Sequence, residues 1–143
     1  MRAAAAKQIT SAEAERVTEH RLQRFADMLE ANPRAMKRLL NAFSLHQATH
    51  LLEGRSVRFD ALAQWTIIEL RWPELADLLT SHPHFVDGLI KAEVPPNSDT
   101  LDDLKKLFGD DEVKRVVSEN PEKEIKALDE AAICEIVGLV PKA

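Results

Sequence analysis

Proline placement constrains this chain more than any other feature. Most of the seven prolines stand where a helix would begin, each after a residue that can cap that helix or end the one before it. A ring without an N–H fits the first turn of a helix and is excluded from helix interiors and central strands. Asn32-Pro33, Trp72-Pro73, His82-Pro83 and Asn120-Pro121 therefore read as starts of separate helices, and the chain becomes a succession of short rods. Between these points Ala, Leu, Glu, Lys and Arg abound, with only 4 Gly and no Tyr, which favours helix throughout. The expectation is an all-α fold, an irregular bundle of about seven to eight helices with no sheet. A chain of 143 residues is the size of one domain that buries about 70% of its unfolded surface.

The periodicity fills in the elements. Thr10 with Glu13 offers a capping box, and Leu22, Phe25, Ala26 and Leu29 give an amphipathic stripe that runs to about Ala31. Asn32 is placed to cap the next helix, with Pro33 at its first position, which continues to about Leu52 before "EGRS". Phe59, Leu62, Ala63, Thr66 and Leu70 mark a third helix, followed by "PELADLLTS" and "PHFVDGLIKA". "EVPPNSD" is the linker. Beyond it, a helix from Thr100 ends at Gly109, "DDEVKRVVSEN" makes a short one, and "PEKEIKALDEAAICEIV" a longer one closed by Gly138. This divides the chain into a lid-like helical bundle over residues 1–93 and a helical extension over residues 94–143 packed on it, together one domain. "MRAAAAK" reads as the tail of a helix, and the sequence as a fragment of a longer protein.

The net charge of -5 conceals an asymmetry. Residues 1–58 carry ten Lys/Arg against six Asp/Glu, whereas residues 59–143 carry nine against eighteen. The two parts face different partners or face each other. No apolar stretch reaches the length of a spanning helix, so no membrane contact is expected from this segment. The lone Cys134 permits no intrachain disulfide.

The stretch "NPRAMKRLLNAF", residues 32–43, carries the functional question. At about 100° per residue Met36, Leu39, Leu40 and Phe43 share one side of the helix, and Arg34, Lys37, Arg38 and Asn41 line the other. Cations at the positive end of a helix dipole are locally unfavourable. One reading is an ordinary solvated face. The sharper one is an anion site, because a helix start with arginine forks is what phosphate recognition uses.

This stretch, followed some twenty residues later by "LAQWTIIELRWPELADLL", resembles the C-terminal helical region of the KAP family of P-loop NTPases. In that family an Asn-Pro-Arg-x-x-Lys-Arg-x-x-Asn run precedes a helix ending in an aromatic-Pro-Glu-Leu turn. The likeness covers about residues 20–82, and the Asn-Pro-Arg opening also resembles the lid helix of AAA-type ATPases. It implies a nucleotide switch, often membrane-associated, acting in signalling or in bacterial defence against phage. It makes Arg34 the candidate phosphate sensor, Arg38 the second choice, and Lys37 and Asn41 supporting polar contacts. It also implies ATP and Mg in the parent protein, an N-terminal P-loop domain of the same polypeptide as partner, and a cytoplasmic location. This chain has no G-x-x-x-x-G-K-[ST] and no apolar strand ending in paired acids, so by itself it is expected to bind no cofactor and to hydrolyse no nucleotide. The alternative is a helical module that binds a protein partner through its basic face. Nucleic acid is disfavoured, since the chain is acidic and neither Trp65 nor Trp72 interleaves with the basic stripe.

Other motifs carry less. "HQATH" places His46 and His50 one turn apart, the spacing of zinc proteases, but Gln47 stands where those enzymes keep a glutamate and no third ligand is in sight. His82 and His84 read as turn residues, and Trp65, Trp72 and Phe59 as core. The acidic runs "DTLDD" and "GDDE" lack calcium-loop spacing and read as helix starts.

Overall fold

A computed structural model describes residues 16–91, 93 and 102–138 of the chain. Among these the fold is all-α, as expected from composition. Helix α1 covers residues 16–22 and tightens into a 3₁₀ segment, Gln23–Met28. It is followed by α2 (Ala35–Leu52), α3 (Phe59–Arg71) and α4 (Pro73–Ser81). A 3₁₀ turn, Pro83–Phe85, leads into α5 (Val86–Lys91). Then come α6 (Asp102–Lys105) with its 3₁₀ continuation Lys106–Gly109, α7 (Asp111–Val117) and α8 (Glu130–Val137). The Thr10–Glu13 capping box and most of "EVPPNSD" lie outside the described residues.

Helix α3 is the axis of the fold. Residues Asp60 through Ile68 are buried without interruption, the polar Asp60, Gln64 and Thr66 among them. Helices α2, α4, α7 and α8 pack around it. Phe43 of α2 meets Phe59 of α3 with ring centroids 4.6 Å apart. Trp65 is 3% exposed and Trp72 half-buried against the same core, which is the packing role expected of both. Each fully buried Leu, Ile or Phe contributes roughly 1.5–3 kcal/mol relative to exposure.

The core runs without a break from Leu22 to Ile136, and polar side chains of the central helix stitch the two ends of the chain together. Gln64 is fully buried and donates from Nε2 to the Val116 carbonyl at 3.0 Å and the Lys126 carbonyl at 2.9 Å. Asp60 accepts from the Lys126 N–H at 2.9 Å. Arg71 donates to the Met28 carbonyl at 2.7 Å and pairs with Glu112. Lys123 pairs with Asp27. Of these two pairs only Lys123–Asp27 joins residues 1–58 to residues 59–143, and it sets a cation of the acidic part against an acid of the basic part.

Two boundaries differ from the sequence expectation. Asn32 does not sit at the N-cap of a helix opened by Pro33. Its Oδ1 accepts from the Arg34 N–H at 2.9 Å and its carbonyl from the Ala35 N–H at 2.9 Å, closing a turn that delays α2 to Ala35. The expected long helix from Pro121 also breaks up. Pro121–Lys123 is one 3₁₀ turn, Glu124 enters the left-handed region at φ 57°, and Ile125 bridges back to Asn120. Helix α8 begins only after Asp129, whose side chain accepts from the Ala132 N–H at 2.8 Å. Burying Ile125 and Leu128 against the core outweighs the helical preference of "EKEIKALDE".

Candidate functional site

The turn at Asn32-Pro33 fixes how α2 presents its basic side chains. Arg34 occupies the half-in position before the first helical residue, at φ -83° and ψ -12°, and its carbonyl accepts from the Arg38 N–H at 3.0 Å. Leu39 and Phe43 are buried on the inner side. Arg34, Lys37, Arg38 and Asn41 are all exposed on the opposite side, so the four residues singled out by spacing are brought to one face. Among the described residues no carboxylate forms an ion pair with Arg34, Lys37 or Arg38.

The two arginines are not equivalent. Arg38 borders a recess of about 40 Å³ together with Glu30, Asn32, Ala35, Leu70 and Arg71, whereas Arg34 stands clear of it at the open start of the helix. A space of that size holds little more than a water molecule.

The same face continues beyond the cations. Leu45 is 70% exposed, Leu52 is 85% exposed, and Ala48 between them is also exposed. Positions 34, 38, 41, 45, 48 and 52 advance by alternating steps of four and three, which keeps them in one stripe along the helix. The stripe is basic for its first two turns and apolar for its last two. A leucine-rich helix is ordinarily credited to the core, so the sequence alone does not mark Leu45 and Leu52 as exposed; their spacing from Arg38 and Asn41 is the signal that could.

The remaining motifs resolve into contacts. His46 Nε2 lies 2.5 Å from Glu69 Oε1, and that hydrogen bond, opposed in part by burial and aided by the carboxylate charge, raises the His46 pKa above its usual 6.5. His50, one turn on, points elsewhere: its Nε2 is 3.0 Å from the Ile136 carbonyl. No group of three or more His, Cys, Asp or Glu with metal-ligating geometry occurs among the described residues. His82 and His84 cluster with Phe85 at the turn into α5. Asp110 caps α7, accepting from the Glu112 and Val113 N–H groups. Cys134 is buried on α8, and that burial, with the nearby Glu130 charge, pushes its thiol pKa up, the opposite of what a reactive thiolate requires. Among the described residues no helix is long and apolar enough to cross a membrane. No protein-family model, curated protein or solved structure matches this chain.

Proposed function

We propose that this chain is the helical lid or regulatory segment of a P-loop nucleotide switch of the KAP type. In this reading it docks on a phosphate-binding domain through the outer face of α2 and reads the phosphates with Arg34. The observation that carries the reading is the exposed cation row at the start of α2, with no carboxylate from the described residues paired to it. A guanidinium held at a helix start offers a fork of donors to a phosphate oxygen. The acidic second part of the chain could have neutralised these side chains; its Glu112 engages Arg71 instead, while Lys123 holds Asp27. Lys37 and Asn41 flank the arginines, and the apolar end of the stripe supplies area for docking.

The role is electrostatic. ATP and Mg would be bound by the P-loop domain, and contact between Arg34 and the terminal phosphate would couple nucleotide state to the angle of the lid. The chain alone is proposed to have no catalytic activity and to act inside the cell, with any membrane attachment belonging to the parent protein. The parent's reading frame should encode G-x-x-x-x-G-K-[ST] upstream of this segment. In the full-length parent, Arg34→Ala should reduce nucleotide hydrolysis by about 10³-fold or more, in line with loss of other charge-stabilising arginines. In the isolated chain the same change should shift stability by no more than about 0.5 kcal/mol, as at other exposed sites. A mutant that unfolds, or a parent with normal hydrolysis, removes Arg34 from the role.

A second reading has its own support in Leu45 and Leu52, which phosphate sensing does not need. A stripe that is basic at one end and apolar at the other suits a protein surface that is acidic and apolar in the same order, and the chain would then be an interaction module without a nucleotide role. An upstream frame with no phosphate loop, combined with loss of a captured partner in a Leu45→Glu, Leu52→Glu double variant, would favour it.

A further inference from the structure

Behind the inner face of α2 lies a second feature, unrelated to the basic stripe. A cleft of about 230 Å³ opens between α1, the C-terminal half of α2 and the start of α3. Its apolar wall includes Phe43, Phe59 and Leu62. Its polar wall holds Arg21, Gln47, His50 and Arg55.

His50 is 5% exposed. A carbonyl can only accept, so the contact to the Ile136 oxygen at 3.0 Å fixes the hydrogen on Nε2. Nδ1 is then the free ring nitrogen, and it is buried with no hydrogen-bond partner among the described residues. Arg55 donates from its terminal nitrogens to the Glu135 and Ile136 carbonyls and to Glu53, yet its buried Nε also has no acceptor there. Arg21 lies over the Phe59 ring, its guanidinium carbon 3.8 Å from the centroid, with no carboxylate of the described residues paired to it. Buried polar atoms are ordinarily satisfied by protein groups or ordered water, and in this cleft the His50 Nδ1 lone pair is left for a ligand or a water.

We propose that this cleft binds a small organic acid carrying a hydroxyl or amino donor and an apolar body. Arg21 supplies positive charge and N–H donors suited to a carboxylate, while Arg55, already paired with Glu53, offers only its Nε–H. The His50 Nδ1 lone pair suits a ligand O–H or N–H. Phe43, Phe59 and Leu62 suit the hydrocarbon part, and the mixed lining matches small-molecule sites in general, which are mostly apolar with a few fixed polar groups. The site is formed by side chains distinct from Arg34, Lys37, Arg38 and Asn41, so it stands or falls apart from the nucleotide role.

Mandelate serves as probe because it combines carboxylate, hydroxyl and phenyl group. Phenylacetate lacks the hydroxyl, and benzyl alcohol lacks the acid. Calorimetric titration of the whole chain should give saturable binding of mandelate, at least tenfold tighter than either analogue. Arg21→Gln, a change at an exposed residue, should weaken mandelate by fivefold or more while lowering the melting temperature of the free protein by only a few degrees, for the lost contact with the Phe59 ring. In the wild-type protein, labelled on imidazole nitrogen, mandelate should move the Nδ1 resonance of His50 and leave that of His84 in place, which tests the histidine without a variant that could fail to fold. Absence of saturable binding by all three compounds up to millimolar concentration overturns the proposal. So does equal binding of the three, or mandelate binding that neither Arg21→Gln nor the His50 resonance registers.

Discussion

Gln64 carries the heaviest polar obligation in the core, because it is fully buried and satisfies two carbonyls from a distant part of the chain. Gln64→Leu keeps the volume, strands the buried Val116 carbonyl at a cost of about 1–3 kcal/mol and the part-buried Lys126 carbonyl at less, and is offset in part by removing the unpartnered Gln64 Oε1. Thr66→Val removes a hydrogen bond of similar length, from Thr66 Oγ1 to the Leu62 carbonyl at 2.7 Å, but that carbonyl keeps its helical partner, and the expected loss is below about 1 kcal/mol. Urea denaturation of the two variants should separate them clearly; equal losses would mean that Gln64 is not holding the second part of the chain. The histidine pair gives a pH test. The contact with Glu69 raises the folded-state pKa of His46 above 6.5, so folding favours its protonated form. The stabilisation is fully present below the unfolded value of about 6.5 and is lost as pH rises through the higher folded value. Both side chains are about one-third exposed, so water screening keeps the effect small. Glu69→Gln should flatten the stability profile above pH 6.5 relative to wild type, and an unchanged slope would exclude the pair as its source. Neither contact could be read from sequence: Gln64 gave no signal inside an apolar helix, and the spacing of His46 and His50 said nothing of Glu69.

Whole elements were legible where the chain announces its own punctuation. Pro73 opens α4 and Ser81 ends it as the pattern indicates, because a proline at the first helical position fixes φ and lacks only a hydrogen that would be unpaired anyway. Gly138 closes α8 in the left-handed region at φ 79°, again as a local rule requires. The failure at residues 121–129 has the opposite cause: the helical preference there is real but is overridden by long-range burial of Ile125 and Leu128. The cations of α2 were legible as a face, whereas the exposure of Leu45 and Leu52 depended on which side of the helix the rest of the fold leaves uncovered. The C-terminal glycines give a test at this scale. Gly54 also has a positive φ, 70°, and a Cβ there would meet nothing within 4 Å; at Gly138 it would fall 2.9 Å from an Arg55 terminal nitrogen. Each Gly→Ala change should lose about 1–2 kcal/mol for the left-handed backbone. Gly138→Ala should lose more, because Arg55 must also leave the Glu135 carbonyl. Equal losses in chemical denaturation would show that Arg55 gives way freely and is not a fixed wall of the cleft.

At the scale of the molecule, the question is whether residues 1–93 and 94–143 behave as separate units. Helix α3 is buried from Asp60 to Ile68, and part of its cover comes from α7 and α8. Without them Gln64 loses both carbonyl partners and Asp60 loses the Lys126 N–H, so the first unit would retain a buried helix with one side open to water. The ion pairs Arg71–Glu112 and Lys123–Asp27 cross the same boundary, but their acids are largely exposed and such pairs add little beyond about 1 kcal/mol. Apolar burial and the Gln64 contacts are the stronger coupling. Full-length chain should therefore unfold in one cooperative transition, with Trp65 and Trp72 fluorescence and far-ultraviolet ellipticity tracing the same urea curve. A chain ending at Glu93 should keep part of its helical ellipticity while losing the sigmoidal transition, because local helix formation survives the loss of a packed core whereas cooperativity does not. Non-coincident curves in the full chain, or a sharp transition in the shortened one, would mean that the first 93 residues fold independently and that the second part is an appendage.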